Sequence, residues 1–534
     1  MLTNKNISLK FNHGFQWYCN TTIALKGYFY SDDVFYEKEN ALAFLTNLLP
    51  NENSKSFLKT LNGVFTIIIS SENSVEIVCD NTRAFPLFYT IQNDSVCISD
   101  DVLILKNKFK INTFDEIAKL EFKASNHTHS NKTLLDSVFQ LEPSTYLRFK
   151  NQRLVEKVVL FSYAIKTESK ASYTDLKDEA IVIFEEAFVR LINSLQNKTV
   201  LLPLSGGYDS RLIAVLLKKH NYKNVICFTY GRKENFEIEN SKKTAESLDY
   251  PWYFIEYTPA LISNYLETEE FLSYAHFAGK HSSMPYLQEY FAIKYLKEEL
   301  KIPKNSVFIP GFAGDFLGGS EYNKIPKKIK SHTIADAILN LKLNNTHLSE
   351  QEKIELKHEI NSSLNKVDQD YQSKIASTVF EDYNFRERLA KYIFNSASYY
   401  LFFNFEFRFP YWDMELLAFF KKVPMTYKQM KILYDDVLTT AYFKDYNVNF
   451  KNEIQPKKSD LIKQKIKDKI KPRLSDTLKE SILKKHDWNN YEPITKQMLL
   501  QMKKNRLPVK RIYKDYNEII SQWYIYLCEN KLNN

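Results

Sequence analysis

One short segment constrains this chain more than any other: Ser205-Gly206-Gly207-Tyr208-Asp209-Ser210. The apolar residues 199–204 before it predict a buried strand, and residues 210–220 after it predict an amphipathic helix. Where a strand turns tightly into a helix, backbone N–H groups at the helix N-terminus stay unpaired and the helix dipole favours an anion. Paired glycines let such a turn close around phosphate oxygens, because no Cβ stands in the way. The segment therefore predicts a phosphate-binding loop.

The side chains of this loop also suit a nucleotide. Ser205 and Ser210 offer hydroxyl groups to phosphate oxygens, and the carboxylate of Asp209 suits a Mg²⁺ ion that bridges the phosphates. The segment lacks the Gly-Lys-Ser/Thr ending of a Walker loop. The plainer alternative is an ordinary turn in which Asp209 or Ser210 caps the helix. Nucleotide binding is favoured because the segment lies between a buried strand and an amphipathic helix.

The elements around the loop predict a parallel sheet. Strands are expected at residues 199–204, 225–230 and 252–256, and helices at residues 173–195, 210–220 and 237–248. Strands that alternate with helices of about ten residues are typical of a parallel sheet with helices on its faces. Beyond residue 336 the pattern is largely helical.

The first 160 residues predict mostly β structure. Short apolar stretches recur with turn residues between them, at residues 22–30, 63–70, 75–79, 87–91, 96–98, 145–149 and 155–161. Two helices are expected in the same part, at residues 38–48 and 56–61. This part and the alternating part that follows predict at least two domains, in keeping with a length of 534 residues.

Composition narrows the class of protein. The chain is 44% hydrophobic, which predicts a globular protein, and it has no apolar run of about 18 residues and no signal-peptide pattern at its start. Its five cysteines are scattered without a CxxC pair, so neither a zinc site nor a disulfide framework is predicted. The net charge of +9 comes from 73 basic and 64 acidic residues that are spread along the chain. We therefore expect a reduced cytoplasmic protein without a membrane span and without a nucleic-acid partner.

The loop is similar to the pyrophosphate loop of the ATP pyrophosphatases, and further motifs extend the likeness. Residues 200–440 resemble the asparagine synthetase family at four further motifs, which follow one another in the order that the family has. These motifs are a helix with Glu237, Ser241, Ala245 and Leu248, residues 311–319, residues 406–413, and the group of Pro424, Lys428 and residues 431–433. The N-terminal part resembles a class II glutamine amidotransferase domain at residues 62–65, 80–89, 99–100 and 141–147. β-Lactam synthetase and lasso-peptide cyclase are related to the same family.

The resemblance implies an α/β multidomain fold. Residues 1–165 would form a degenerate, Ntn-hydrolase-like αββα domain, inactive as a glutaminase. Residues 170–455 would form the ATP pyrophosphatase domain, an adenine-nucleotide α-hydrolase-like parallel sheet with a largely helical C-terminal part. Residues 456–534 would be a basic helical extension, which begins with a lysine-rich block at residues 457–473. This extension caps the active site, binds a partner or is a solvated helix, and the last alternative is favoured.

The resemblance also implies an activity, that of an ATP-dependent, AMP-forming carbon–nitrogen ligase with Mg²⁺. A small-molecule or peptide carboxylate would be adenylated and then passed to ammonia or another amine; whether the protein forms a homodimer is left open. The implied metal ligands are Asp209 and Asp315. The implied catalytic residues are Asp315, Arg408, Lys431 and, as the alternative lysine, Lys428. The implied nucleotide-binding residues are Leu204, Ser205, Gly206, Gly207, Asp209, Ser210, Tyr230, Gly311 and Gly314.

The sequence departs from the family at two positions. Position 2 is Leu where glutamine-using members carry the nucleophilic Cys, and Cys19 is internal and lacks a free amine, so glutamine hydrolysis is not predicted. Phe312 stands where the family has a carboxylate that handles the nitrogen nucleophile. Either Glu321 or His281 replaces that base, or the acceptor is an amine other than ammonia.

Several alternatives stay open from the sequence. The ligase reaction is either intermolecular or an internal cyclisation, and a non-catalytic scaffold derived from a synthetase is the rival from another class. Arg408 either pairs with Glu406 as a structural ion pair or binds a substrate carboxylate or phosphate. Residues 276–285 are a candidate lining of the acyl-substrate pocket.

Overall fold

Three β-sheets run through the part of the chain that the computed structural model describes, which is residues 2, 4–49, 54–323, 325, 329–450 and 476–530. In chain order the strands are β1 Ile7–Ser8, β2 Tyr18–Cys19, β3 Ile23–Ser31, β4 Val34–Glu37, β5 Asn62–Ser70, β6 Ser74–Cys79, β7 Phe88–Gln92, β8 Ser95–Ser99, β9 Phe139–Gln140, β10 Thr145–Lys150, β11 Arg153–Val159, β12 Val200–Pro203, β13 Val225–Gly231, β14 Trp252–Glu256, β15 Val307–Phe308 and β16 Glu406–Phe407.

The α-helices lie mainly after residue 170. They are α1 Lys38–Leu48, α2 Ser54–Leu58, α3 Val102–Phe109, α4 Glu116–Ser125, α5 Tyr173–Leu195, α6 Tyr208–Lys219, α7 Glu237–Ser247, α8 Pro259–Ile262, α9 Glu269–Gly279, α10 Tyr290–Glu298, α11 Gly314–Leu317, α12 Ile334–Lys342, α13 Glu350–Val367, α14 Ala376–Asn384, α15 Ser398–Phe402, α16 Met414–Phe420, α17 Met425–Lys428, α18 Ile432–Val437, α19 Asp476–Lys485, α20 Tyr491–Lys504 and α21 Tyr516–Asn530. π-Helical turns occupy Phe385–Ile393 and Leu438–Phe443.

The N-terminal part forms four layers. A seven-stranded antiparallel sheet, in the order β11-β10-β6-β5-β3-β2 with β4 beside β3, faces a four-stranded sheet in the order β1-β8-β7-β9. Successive residues of β5 point to opposite faces, so Ile67 packs in the cluster with α1 whereas Ile68 packs in the cluster between the sheets. On its other face the four-stranded sheet packs against α3 through Phe88 and Leu105. These layers form the αββα arrangement.

The third sheet is parallel throughout, in the order β14-β13-β12-β15-β16. Leu201 and Leu202 of β12 are fully buried, as expected for a strand covered on both faces. Helices α6, α7 and α15 pack against this sheet. The predicted α/β multidomain fold with a parallel sheet and a largely helical C-terminal part is therefore confirmed.

The predicted solvated helix at the C-terminal end is wrong for the last two helices. The side chains of Met498 and Met502 on α20 and Trp523 on α21 are fully buried, in the same apolar cluster as the parallel sheet. The indole Nε1 of Trp523 donates a hydrogen bond to Gln501 at 2.8 Å, which satisfies its polar group in the interior. The lysine-rich block at residues 457–473 lies outside the described residues.

The predicted domain limits at 1–165, 170–455 and 456–534 stay a prediction. Strand β11 ends at Val159 and α5 begins at Tyr173, with an extended segment between them. Within the described residues, no helix combines the length and the apolar character that a bilayer crossing requires.

Candidate active site

The glycine-rich loop connects β12 to α6 and is closed by its two serines. The Ser205 N–H donates to the Ser210 hydroxyl at 3.0 Å, and the two hydroxyl oxygens lie 3.0 Å apart. The Gly207 N–H donates to the Ser205 hydroxyl at 3.1 Å. Gly207 is exposed and has no side chain to cap α6, so the turn is open to solvent at the helix N-terminus. An anion can approach this end of the helix.

Arg211 holds the loop from behind. Its guanidinium is fully buried and donates to the Gly206 carbonyl at 2.8 Å and to the Val448 carbonyl at 2.9 Å. The ring of Phe450 lies 4.7 Å from the guanidinium carbon. These contacts fix the loop to the segment that follows the π-helical turn Leu438–Phe443.

Asp209 is the centre of the site. Its Oδ2 accepts a hydrogen bond from the Asp315 N–H at 2.8 Å, and its Oδ1 accepts one from the Tyr434 hydroxyl at 2.9 Å. Burial, and next the neighbouring charge of Asp315, raise the pKa of Asp209 to about 7. Asp315 is exposed on the same side. Two carboxylates thus share one partly enclosed space, where their mutual repulsion favours a bound cation.

Lys431 is the lysine that faces these carboxylates. Its Nζ lies 3.2 Å from Asp435 and 5.6 Å from the centre of the Tyr208 ring. Burial would lower the pKa of Lys431, but the charges of Asp435, Asp209 and Asp315 outweigh that effect and raise it. The backbone at Met430 and Lys431 is left-handed, with φ of 60° and 56°. This turn directs the cation towards the loop.

Two glycines bring the segment after β15 against the loop. A Cβ on Gly314 would lie 2.5 Å from Asp209 Cγ and 2.7 Å from the Tyr434 hydroxyl. A Cβ on Gly311 would lie 3.0 Å from the Ser210 nitrogen. Gly314 therefore requires glycine, because the backbone approaches Asp209 too closely for a side chain, whereas a Cβ at Gly311 would need the loop to shift by a few tenths of an ångström.

The segment that carries this geometry matches a known family. Residues 190–298 match the family model described as asparagine synthase. Over these residues the chain is similar to asparagine synthase. The predicted likeness to that family is thus confirmed, and β12, the loop at residues 205–210 (called the PP-loop from here on) and α6 lie inside the matched residues.

The individual relatives share less of the chain. A 7-cyano-7-deazaguanine synthase of Parabacteroides distasonis (strain ATCC 8503) is 37% identical over 62 residues, which is 11% of this chain and 28% of that enzyme's length. Among solved structures, an NH3-dependent NAD synthetase from Campylobacter jejuni is 17% identical with a TM-score of 0.21, over 41% of this chain and 97% of its own. An NMN synthetase from Francisella tularensis is 14% identical with a TM-score of 0.20, over 41% and 94%. Such TM-scores support no conclusion.

Lys428 and Arg408, two of the predicted catalytic residues, each form ion pairs with glutamates. Lys428 is buried, with its Nζ 3.1 Å from Glu381, and burial lowers its pKa. The Arg408 guanidinium is 3.3 Å from both Glu37 and Glu406, and each of its nitrogens donates to a neighbour within the described chain. The structural alternative for Arg408 is therefore the one that the geometry favours, since no donor is left over for a substrate.

The remaining predicted residues of the site lie at the carboxyl ends of the strands. Leu204 is buried and donates its N–H to the Phe228 carbonyl at 2.8 Å, which ties the start of the PP-loop to β13. Tyr230 is the last residue but one of β13, and its hydroxyl lies 3.2 Å from Glu289. Phe312 packs between Phe394 and Phe409, with ring centres 6.1 and 5.9 Å away.

The two candidate replacements for the carboxylate lost at Phe312 are both buried. The side chain of His281 is fully buried, and burial lowers the pKa of its imidazole to about 3. The backbone N–H of His281 donates to the Tyr524 hydroxyl at 3.1 Å. Glu321 pairs with Lys342 at 2.7 Å. Residues 276–285 contact the N-terminal part, since the His276 imidazole lies 3.0 Å from Asp101 and the Ser282 carbonyl accepts the Thr128 N–H at 2.9 Å. They therefore lie against the N-terminal part of the chain.

Sequence reasoning missed three residues that shape the PP-loop. Tyr434 and Tyr411 both bond to Asp209, the first to the carboxylate and the second to the main-chain carbonyl at 2.5 Å. The third residue is Arg211, in the first turn of α6. A buried arginine directly after a glycine-rich turn was a usable signal, because its charge needs acceptors and the loop carbonyls are the nearest ones.

Proposed function

We propose that this chain is an ATP-dependent ligase that forms amide bonds. It adenylates a small-molecule or peptide carboxylate, releases pyrophosphate, and passes the acyl group to an amine with loss of AMP. The observation that carries this proposal is the cluster of Asp209, Asp315 and Lys431 at the open end of the PP-loop. The asparagine synthase match of residues 190–298 supports the ligase class.

The residues of the site suit each part of this reaction. The N–H groups at the start of α6 and the hydroxyls of Ser205 and Ser210 would bind the β- and γ-phosphates of ATP. Lys431 would stabilise the negative charge that develops on the departing pyrophosphate, at a position that is set before the reaction begins. Arg211 keeps the loop in shape from the buried side. The protein thus contributes alignment and charge stabilisation.

Magnesium is the implied metal. No group of three or more His, Cys, Asp or Glu side chains among the described residues is arranged to hold a metal alone. Asp209 and Asp315 fit a magnesium ion that takes its other ligands from phosphate oxygens and water, because Mg²⁺ commonly binds through one or two carboxylates plus phosphates. The ion would neutralise phosphate charge.

The experiment that tests the proposal is carboxylate-dependent exchange of radiolabelled pyrophosphate into ATP by the full chain, run with pools of candidate acids. Incorporation of label that requires both Mg²⁺ and an acid supports adenylation. Mg-ATP binding is measured in parallel by calorimetry. Absence of Mg-ATP binding would sink the ligase proposal and favour the non-catalytic scaffold.

A comparison of two lysines separates catalysis from stability. We expect Lys431→Met to lower the exchange rate by about 100-fold, because it removes the cation that faces Asp209 and Asp315. Lys428→Met should instead lower the free energy of unfolding by about 3 kcal/mol, because it leaves the Glu381 carboxylate buried without its cation. Exchange rates and chemical denaturation of both variants check this. A larger loss of exchange in folded Lys428→Met than in Lys431→Met would contradict the assignment.

A further inference from the structure

Glu289 is a buried carboxylate that has no cation beside it. Its side chain is 5% exposed, its Oε2 accepts a hydrogen bond from the Tyr400 hydroxyl at 2.6 Å, and its Oε1 accepts one from the Tyr230 hydroxyl at 3.2 Å. No ion pair joins it to a Lys, Arg or His of the described residues, and its electrostatic partners are tyrosines. Buried carboxylates are ordinarily paired with a cation. Glu289 therefore lacks a countercharge among the described residues.

The walls around Glu289 are aromatic. The Tyr257 ring stacks on Tyr230 with centres 5.6 Å apart, and Tyr399 meets Tyr400 edge to face at 4.6 Å. Six tyrosines lie close enough for the charge of Glu289 to raise the pKa of their hydroxyl groups: Tyr230, Tyr257, Tyr274, Tyr286, Tyr399 and Tyr400. Aromatic faces attract cations through their quadrupoles, and most strongly where water is excluded. A carboxylate inside an aromatic wall is the chemistry that recognises an ammonium group.

A chain of hydrogen bonds leads from the surface to this carboxylate. The Tyr286 hydroxyl donates to Gln288 at 2.7 Å, Gln288 donates to the Tyr230 hydroxyl at 3.0 Å, and Tyr230 reaches Glu289. Tyr286, Gln288 and Tyr230 are each partly exposed. Hydrogen bonds through these three partly exposed side chains thus connect Glu289 to the surface.

The cluster lies beside the PP-loop. Tyr230 lies near the carboxyl end of β13, which pairs in parallel with β12, the strand that leads into the loop. Carboxyl ends of neighbouring parallel strands share one edge of the sheet, which is where open α/β sheets bind their ligands. Residues 488–491 close this edge, since the Trp488 carbonyl accepts the Arg232 N–H at 2.8 Å and Asn490 donates to the Tyr257 carbonyl at 2.8 Å.

We propose that Glu289 and its tyrosines bind the ammonium group of the amine substrate, an inference that rests on the proposed ligase function. The ammonium donates hydrogen bonds to the Glu289 oxygens and lies against the rings of Tyr230 and Tyr400. Such a site selects an organic amine over ammonia, because the aromatic walls bury the carbon atoms that ammonia lacks. Phe312 stands where the family has a carboxylate for the nitrogen nucleophile. Its presence agrees with an amine that is held by Glu289 at the end of β13 instead.

The test uses benzylammonium as the probe and benzyl alcohol as its neutral counterpart, by calorimetry on the full chain without ATP. The wild-type chain should bind benzylammonium about tenfold more tightly than benzyl alcohol. Glu289→Gln keeps the shape but removes the charge, so this preference should vanish. Glu298→Gln, at the exposed end of the same helix α10, is the matched control and should keep the preference.

Equal affinity of the wild-type chain for the two probes would overturn the inference, and so would an unchanged preference in Glu289→Gln. The comparison of probes on the wild-type chain needs no variant, so a folding defect cannot hide the answer. Mg-ATP binding of the same protein is measured separately. Intact Mg-ATP binding without the ammonium preference removes only this inference. The preference without Mg-ATP binding removes the ligase proposal, and with it the assignment of the bound ammonium as the amine substrate, but leaves Glu289 as an ammonium-binding group.

Discussion

Asp209→Asn should abolish nearly all adenylation. The amide keeps the size of the side chain and can still accept the Asp315 N–H through its oxygen, but it loses the charge that would hold magnesium and balance Lys431. We expect carboxylate-dependent ATP–pyrophosphate exchange to fall by about 100- to 1,000-fold. The matched control is Asp436→Asn on α18, where the carboxylate pairs with Lys177 at 2.9 Å and does not contact the loop. Exchange at the wild-type level in Asp209→Asn would remove this residue from the mechanism.

The same residue predicts how Mg-ATP binding depends on pH. Because burial and Asp315 raise the pKa of Asp209 to about 7, the carboxyl is mostly protonated at pH 6 and mostly ionised at pH 8. The ionised form is the one that binds a cation, so the affinity for Mg-ATP should rise about tenfold over this interval. Calorimetric titrations at pH 6, 7 and 8 measure the change. In Asp209→Asn the dependence should disappear, and a dependence of unchanged size would assign it to another group.

Trp523→Ala should produce a large loss of stability. The side chain is fully buried, packs on Phe271 with ring centres 5.8 Å apart, and bonds to Gln501. Its removal leaves a large cavity and an unpaired amide, which together cost about 3–5 kcal/mol of unfolding free energy. Chemical denaturation measures this loss, and limited proteolysis shows whether α20 and α21 detach first.

Leu500→Ala on α20 is the control for the Trp523 variant, because the Leu500 side chain is 57% exposed. We expect it to change the free energy of unfolding by less than about 0.5 kcal/mol. If Trp523→Ala were as mild as Leu500→Ala, the C-terminal helices would not belong to the core of the protein. The preference for a solvated tail would then be restored.

Long periodic elements were predictable from the sequence. The limits of α1, α5 and β14 were predicted residue for residue, because apolar spacing in each segment agrees with its local propensity. The strand–loop–helix at the PP-loop was predictable for the same reason, with glycines marking the turn. Its closure by Ser205 and Ser210 follows from residues that are neighbours in sequence.

Elements defined by distant contacts were not predictable. Strands β15 and β16 are two residues long, so no periodicity marks them. They exist because the sheet supplies partners: β15 lies between β12 and β16, and β16 pairs with β15 at the edge. Because the C-terminal region is rich in charged residues, its composition did not indicate that α20 and α21 each have a buried face. Glu289 was missed because a single acidic residue before a helix has no local signature; its tyrosine partners come from positions as far apart as 230 and 400.

The ion pairs of Arg408 join the N-terminal part of the molecule to the parallel sheet. Arg408 follows β16 of the parallel sheet, and Glu37, one of its two countercharges, ends β4 of the antiparallel sheet. A truncated polypeptide that began at α5 would keep Arg408 but lose Glu37. The guanidinium would then lose one of its two countercharges, next to apolar surface that the missing part had covered. We therefore expect a polypeptide that lacks β4 to be less stable than the full chain.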